Sequence, residues 1–354
     1  MNNIDRIREA LPNYDTNAIM IISSVNRLFA TDFNSSAGVL LVTMDDAWFF
    51  TDSRYIEAAQ TAITEAHVEL ISGDGSYSSE IKKILDSNKI TSIGFEDDKV
   101  TYSEYLNWKK KLGIELKAVG GLLDELRAIK TPDQLDKMIK AQRIAEKTFE
   151  ELLPLISVDM TEKQLAAELI YRLLKNGADD KSFDPIVVSG TKTSMPHGVP
   201  GDEKIGFGFL TMDFGARFEG WCSDMTRTVC VGKPDDIMVN VYDTVLKAQL
   251  AGIDTFRGDV KGADVDAAAR TVIENAGYGE FFGHGFGHSL GLEVHESLRA
   301  SKTSEDILPT GSTISAEPGI YLPGRFGVRI EDVVCITKEG CKNLTLTPKE
   351  LIIL

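Results

Sequence analysis

The chain has 354 residues, which at about 100 to 200 residues per domain fits two domains with sizeable cores. Hydrophobic residues make up 43% and charged residues 26%, the balance of a folded globular chain and not of a disordered or collagenous one. The formal charge is −16, from 38 Lys+Arg against 54 Asp+Glu, and no basic run exceeds Lys109-Lys110-Lys111; this argues against binding to nucleic acid or to membrane, which needs concentrated cations.

The N-terminus, Met1 to Arg6, has no basic stretch leading into an apolar run, and 18 consecutive apolar residues occur nowhere, so a cytoplasmic protein is the expectation. Up to residue 126, short runs rich in β-branched and aromatic residues read as strands at 18–22, 38–43, 47–51, 68–71 and 92–95. Helical patterns at 55–66, 78–85 and 102–111 lie between them, which makes this an α/β domain. His67 reads as an ordinary surface or core histidine. Arg127, Lys130, Thr131 and Pro132 interrupt the pattern, and Pro after Thr131 is a good helix start, so the expected domains are 1–126 and 127–354.

The second domain runs twice from helices into strands, an α+β pattern. Helical spacing over 132–153 and 161–175 leads to a loop with His197 and a β-rich stretch at 206–231. Helical spacing over 235–255 and 263–276 leads to the His284–His295 segment and a β-rich stretch at 313–337. The succession points to two equivalent halves, although no residue-level repeat is visible. Cys222, Cys230, Cys335 and Cys341 form no Cys-x-x-Cys pair and fall in or near strands, which fits reduced core thiols.

Asp213 and Asp224 flank a polar turn at Arg217 to Gly220. A hairpin centred between Phe218 and Glu219 sets the two carboxylates opposite each other on one face, roughly 5 Å apart at Cβ. Glu317 and Glu331 flank the Pro323-Gly324 turn in the same way, centred on Gly324. Like charges so close among apolar residues are costly unless a cation lies between them. One acidic residue in a strand is ordinarily just solvent-facing; two symmetric pairs point to a metal cage.

Four of the five histidines, His197, His284, His288 and His295, fall within one third of the chain. Gly283-His284-Gly285-Phe286-Gly287-His288 is too glycine-rich for a stable helix, so its His-x-x-x-His spacing is not the helical zinc-protease motif, and an irregular, closely approaching backbone is expected. An oxygen-rich cage with one or two imidazoles suits Mn, Co, Fe or Zn in a two-metal site, where a bridging water ionises near neutral pH and attacks a carbonyl. Histidines that do not ligate can bind substrate, stabilise an oxyanion or carry the leaving-group proton. Amide hydrolysis is the implied reaction class.

Over its whole length the chain resembles the pita-bread metallopeptidases, in the aminopeptidase P and prolidase branch. The most specific stretch runs from His284 through His288 to His295-Glu296, where Phe286 replaces the usual smaller aliphatic residue. Met195-Pro196-His197-Gly198, Met212-Asp213-Phe214-Gly215, Ser223-Asp224-Met225-Thr226-Arg227-Thr228, Glu317-Pro318-Gly319-Ile320-Tyr321 and Arg329-Ile330-Glu331-Asp332 follow the family's order, and Gly38 to Thr43 and Thr51 to Tyr55 sit where a creatinase-like N-terminal domain has them. The resemblance implies a mixed-sheet first domain, a pseudo-twofold duplicated second domain and two divalent metal ions. The implied ligands are Asp213, Asp224, His288, Glu317 and Glu331, with Asp224 and Glu331 bridging and Glu317 also the general base. His197, His284 and His295 match the substrate and transition-state histidines, Arg329 a supporting arginine and Tyr321 a nearby phenol at the substrate. Mn is the expected metal, with Co, Zn and Fe as rivals.

The expected activity is cleavage of the bond between an N-terminal residue and a following proline, through hydroxide bridging the two metals. Proline's tertiary amide and fixed φ call for a dedicated pocket. An Xaa-Pro dipeptidase is the alternative, which must close the pocket beyond proline or capture its carboxylate. A non-peptidase reaction, such as the family's lyase chemistry, or a silent binding role on the same fold are further alternatives; the filled ligand positions speak against the last. A homodimer is expected by resemblance.

Overall fold

The computed structural model describes residues 1–71 and 75–354, which divide into two compact units, Met1–Arg127 and Ala128–Leu354. In the first unit Ala18–Ile21 (β1) and Val39–Thr43 (β2) are buried at every position, as strands covered on both faces must be. They join Ala47–Thr51 (β3), His67–Leu70 (β4), Ser92–Phe95 (β5) and Glu115–Ala118 (β6) in one sheet ordered β4-β3-β2-β1-β5-β6. The sheet is mixed: β2 is antiparallel to β1 and β3, while β1–β5, β5–β6 and β3–β4 are parallel. Helices Asn3–Ala10 (α1), Ser24–Thr31 (α2), Ile56–Ala62 (α3), Tyr77–Ser87 (α4), Tyr102–Leu112 (α5) and Gly120–Ala128 (α6) complete it. α3 stops short of residue 66 because Ile63 is already extended. His67 is exposed on β4 beside Asp46.

In the second unit, Pro132–Leu152 (α7) and Glu162–Lys175 (α8) each begin with a reciprocal cap, Thr131 with Gln134 and Thr161 with Gln164. They pack on Asp180–Lys181 (β7), Ile186–Ser189 (β8), Gly208–Phe214 (β9), Ala216–Phe218 (β10), Trp221–Cys222 (β11) and Met225–Val231 (β12). The succession then repeats. Asp236–Thr255 (α9), Val260–Lys261 (β13) and Gly262–Asn275 (α10) precede Gly287–His288 (β14), Arg299–Ala300 (β15) and Ile307–Leu308 (β16). Thr313–Ala316 (β17), Gly319–Leu322 (β18), Phe326–Arg329 (β19), Asp332–Ile336 (β20) and Cys341–Asn343 (β21) follow. The halves are joined through Arg227 of β12, which donates to the Glu331 carbonyl at 2.6 Å and to Asp332 at 2.8 Å.

The two hairpins answer differently to the expected registers. β18 pairs with β19, and β17 with β20, in a single register centred on Gly324, which places Glu317 across from Glu331 where the ladder is interrupted. Pro318 lacks the N–H that a ladder would need there. In the first hairpin the register is offset by two residues from the expectation: Asp213 faces Thr226, not Asp224. The cause is the turn, in which Glu219 and Gly220 both take positive φ, +48° and +83°, so the two-residue loop centres there and not one residue earlier. Asp224 then lies diagonally from Asp213 on the same face, in the break between β11 and β12.

The glycine-rich stretch closes on the sheet as expected. A Cβ on Gly287 would overlap the Ser315 carbonyl, so only glycine lets β14 lie against β17. Phe286 is fully buried, and its ring occupies the space a Cβ would take at Gly252 of α9, which is how the larger residue is accommodated. The cysteines are free thiols on β11, β12, β20 and β21. No described helix is long and apolar enough to cross a membrane.

Candidate metal centre

Every side chain expected to hold metal sits at a strand end or a break in a ladder: Asp213 near the end of β9, Asp224 before β12, His288 at the end of β14, Glu317 and Glu331 flanking the β18–β19 hairpin. All five line one cleft of about 460 Å³ within the second unit. Single ligand atoms of Asp224, His288 and Glu331 lie within 4.8 Å of one another. His288 Nε2 is 3.1 Å from Glu317 Oε1 and 3.8 Å from Asp224 Oδ2. Asp213 stands somewhat apart, its Oδ2 accepting from Arg329 Nη2 at 2.6 Å.

The donor set fits divalent cations. Asp213 Oδ1 and Asp224 Oδ1 are buried without a hydrogen-bond partner, a costly arrangement for carboxylate oxygens unless a cation completes it. Burial, and then repulsion from Glu331 and Asp213, push the Asp224 carboxyl well above the usual carboxylate range; burial and the charges of Glu317 and Asp213 do the same to Glu331. Burial also raises Asp213, with Arg329 opposing it. Burial works against ionised Glu317 as well, yet the hydrogen bond and charge of His288 hold its pKa down to about 2. Four oxygen donors with one imidazole make a hard-to-borderline site.

The remaining expected residues surround this cage. His197 and His295 line the cleft and are exposed, and His284 lines it half-buried. Burial lowers the pKa of His284 and, with the neighbouring His288, that of His295, so both are neutral imidazoles near pH 7. His284 Nδ1 is 2.8 Å from the Gly285 carbonyl and Nε2 is 2.9 Å from the Tyr321 hydroxyl. Tyr321 lies behind the cleft wall: it is 7% exposed and its hydroxyl also accepts from Arg329 Nη1 at 2.8 Å. Arg329 also donates to the Pro196 carbonyl, next to His197, at 3.2 Å.

Two further residues have no role assigned from the sequence, although Thr226 lies in the family-like stretch Ser223 to Thr228. Thr226 Oγ1 donates to Glu331 Oε2 at 2.7 Å and accepts from Arg329 Nε at 3.1 Å. Arg299 lines the cleft beside His295. The signals for Thr226 are its place in that stretch and its strand alternation with Asp224 and Thr228; Arg299, on the short strand β15, carries none.

Residues 136–338 match the family model of metallopeptidase family M24, and residues 3–129 match the creatinase/prolidase N-terminal domain. An uncharacterized peptidase of Bacillus subtilis is 38% identical over 353 residues, covering 99% of both chains. Among solved structures, an Xaa-Pro dipeptidase from Bacillus anthracis is 38% identical with a TM-score of 0.95 and 99% of each chain covered. An X-Pro aminopeptidase from Thermotoga maritima is 33% identical with a TM-score of 0.93, covering 98% of this chain and 100% of that one.

Proposed function

The chain belongs to metallopeptidase family M24, with the pita-bread fold behind a creatinase-type N-terminal domain, and on that footing we propose that it is an Xaa-Pro aminopeptidase using two divalent ions, with Mn as the metal. The observation that carries this reading is the convergence of four carboxylates and His288 with His197, His284 and His295 in one cleft. Asp224 and Glu331 would be shared by the two ions, with Asp213 completing one site and His288 with Glu317 the other. Bound divalent ions would acidify water and polarise the scissile carbonyl.

The chain's own groups supply the rest. Glu317, held as a carboxylate by His288 and accepting from Ser315 Oγ at 3.1 Å, takes the proton of the attacking water. His295, neutral near pH 7, can donate to the substrate's carbonyl oxygen. The proton that Glu317 has taken is the one returned to the departing proline nitrogen, with His284 Nε2, a lone-pair acceptor because Nδ1–H is given to the Gly285 carbonyl, as the relay beside it. His284 Nε2 is engaged by Tyr321 in this structure, so substrate contact exchanges that hydrogen bond. Arg329, whose charge is favoured by Tyr321 and Asp213 against the effect of burial, holds Asp213 in place. As a test, Asp224→Ala should bind less metal and lose turnover; near-normal activity would contradict the shared-ligand cage.

The dipeptidase reading has one specific observation behind it. Arg299 on the cleft wall is a cation able to take the free carboxylate of a C-terminal proline. If it does, Arg299→Gln should raise KM for an Xaa-Pro dipeptide by roughly tenfold or more while leaving an Xaa-Pro-Xaa tripeptide nearly unaffected. Equal effects on both substrates would leave the aminopeptidase reading in possession.

A further inference from the structure

His284 lies in Gly283-His284-Gly285-Phe286-Gly287, a backbone with little conformational preference of its own, yet a group at the reacting bond must be held within a fraction of an ångström. What holds it comes from α10. Asp266, with 0% exposure, accepts the Phe286 N–H on Oδ1 at 3.0 Å. One turn later Arg270 forks onto the same carboxylate, Nε to Oδ2 at 2.7 Å and Nη2 to Oδ1 at 3.0 Å. Its other donors go to carbonyls: Nη1 to Phe282 at 2.9 Å and Nη2 to His284 itself at 2.8 Å. The guanidinium carbon also sits 4.1 Å from the Phe282 ring centroid, and that ring meets His284 edge-on at 5.1 Å. His284 and Phe286, the members of the segment that are not glycine, and Phe282 just before it are thus each fastened by this one pair.

We propose that Asp266 and Arg270 are positioning residues for His284, fixing the backbone on both sides of it and so setting where its imidazole stands at the scissile bond. The proposal rests on the peptidase reading above. Neither residue lines the cleft, so the pair acts through His284 and not on substrate. The bidentate pair within one helix is itself rigid, since the partners sit four residues apart on the same face of α10.

The test is steady-state hydrolysis of an Xaa-Pro-Xaa peptide by the full-length, metal-loaded protein. Arg270→Gln should keep metal content and KM close to wild type and lower kcat by roughly 10-fold to 100-fold, the usual range for a group that orients a reacting one. Arg270→Lys, able to reach one carbonyl but not to fork, should recover part of the loss. In a His284→Ala background the same Arg270→Gln change should cost less than about twofold, because no imidazole remains to be misplaced. If Arg270→Gln does not fold, Asp266→Asn, which keeps an acceptor for the Phe286 N–H, carries the same cycle. Equal losses in both backgrounds, or unchanged kcat, overturn the proposal. Wild-type protein that binds metal but cleaves no proline peptide overturns the peptidase reading, and the proposal with it.

Discussion

The Thr226 hydroxyl joins two charged groups that the cage depends on, Glu331 and Arg329, and it is completely buried. Valine there keeps the volume but strands a carboxylate oxygen and a guanidinium N–H, at a cost of about 1–3 kcal/mol. Thr226→Val should therefore weaken divalent-metal affinity by roughly 10-fold to 100-fold in a calorimetric titration, and unaltered affinity would show that Glu331 needs no such support. The residues proposed to carry the chemistry stand out in the sequence because such chemistry restricts residue type: little but a cation accounts for paired carboxylates among apolar neighbours. Thr226 and Arg299 have types that are unremarkable in a strand or a loop, so their roles appear only once distances are known. Tyr321 was readable as a member of the site, but its burial behind His284 and Arg329 depends on packing that no spacing encodes.

The β18–β19 hairpin was readable because Pro323-Gly324 sets the turn and the strands on either side inherit its register. The β10–β11 hairpin was readable only to within two residues. Which residues of a polar loop take positive φ is decided by the twist of the strands they join, and Glu219 gives no sign of it. The α9–Phe286 contact is a second case in which tertiary packing overrules a local rule. Ala ordinarily improves on Gly inside a helix by about 0.5–1 kcal/mol, but a Cβ on Gly252 overlaps the Phe286 ring, and overpacking costs about 1–3 kcal/mol. Gly252→Ala should thus lower stability in denaturant unfolding, and adding Phe286→Leu should recover most of the loss. A stabilised single variant would mean the ring moves aside freely.

Taken as a whole, the second unit presents the same succession of helices and strands twice, and the proposed ligands come from both halves: Asp213 and Asp224 from the first, His288, Glu317 and Glu331 from the second. The order of elements was readable from hydrophobic periodicity. The absence of a residue-level repeat has a physical reason, since each half fills its core with different side chains around a similar backbone. Cage and cleft are complete only when the halves close on each other through Arg227, which ties the proposed activity to the integrity of this unit. The proposed activity is metal-dependent hydrolysis before proline. The most direct measurement is cleavage of matched Xaa-Pro, Xaa-Pro-Xaa and Xaa-Ala-Xaa peptides by metal-stripped protein, before and after Mn is added. Without metal no cleavage is expected, and with Mn the tripeptide should again be cut at the bond before proline with the alanine control left intact. Cleavage of the dipeptide alone would replace the aminopeptidase assignment with a dipeptidase, and no cleavage by protein that has bound its metal would contradict the peptidase account outright.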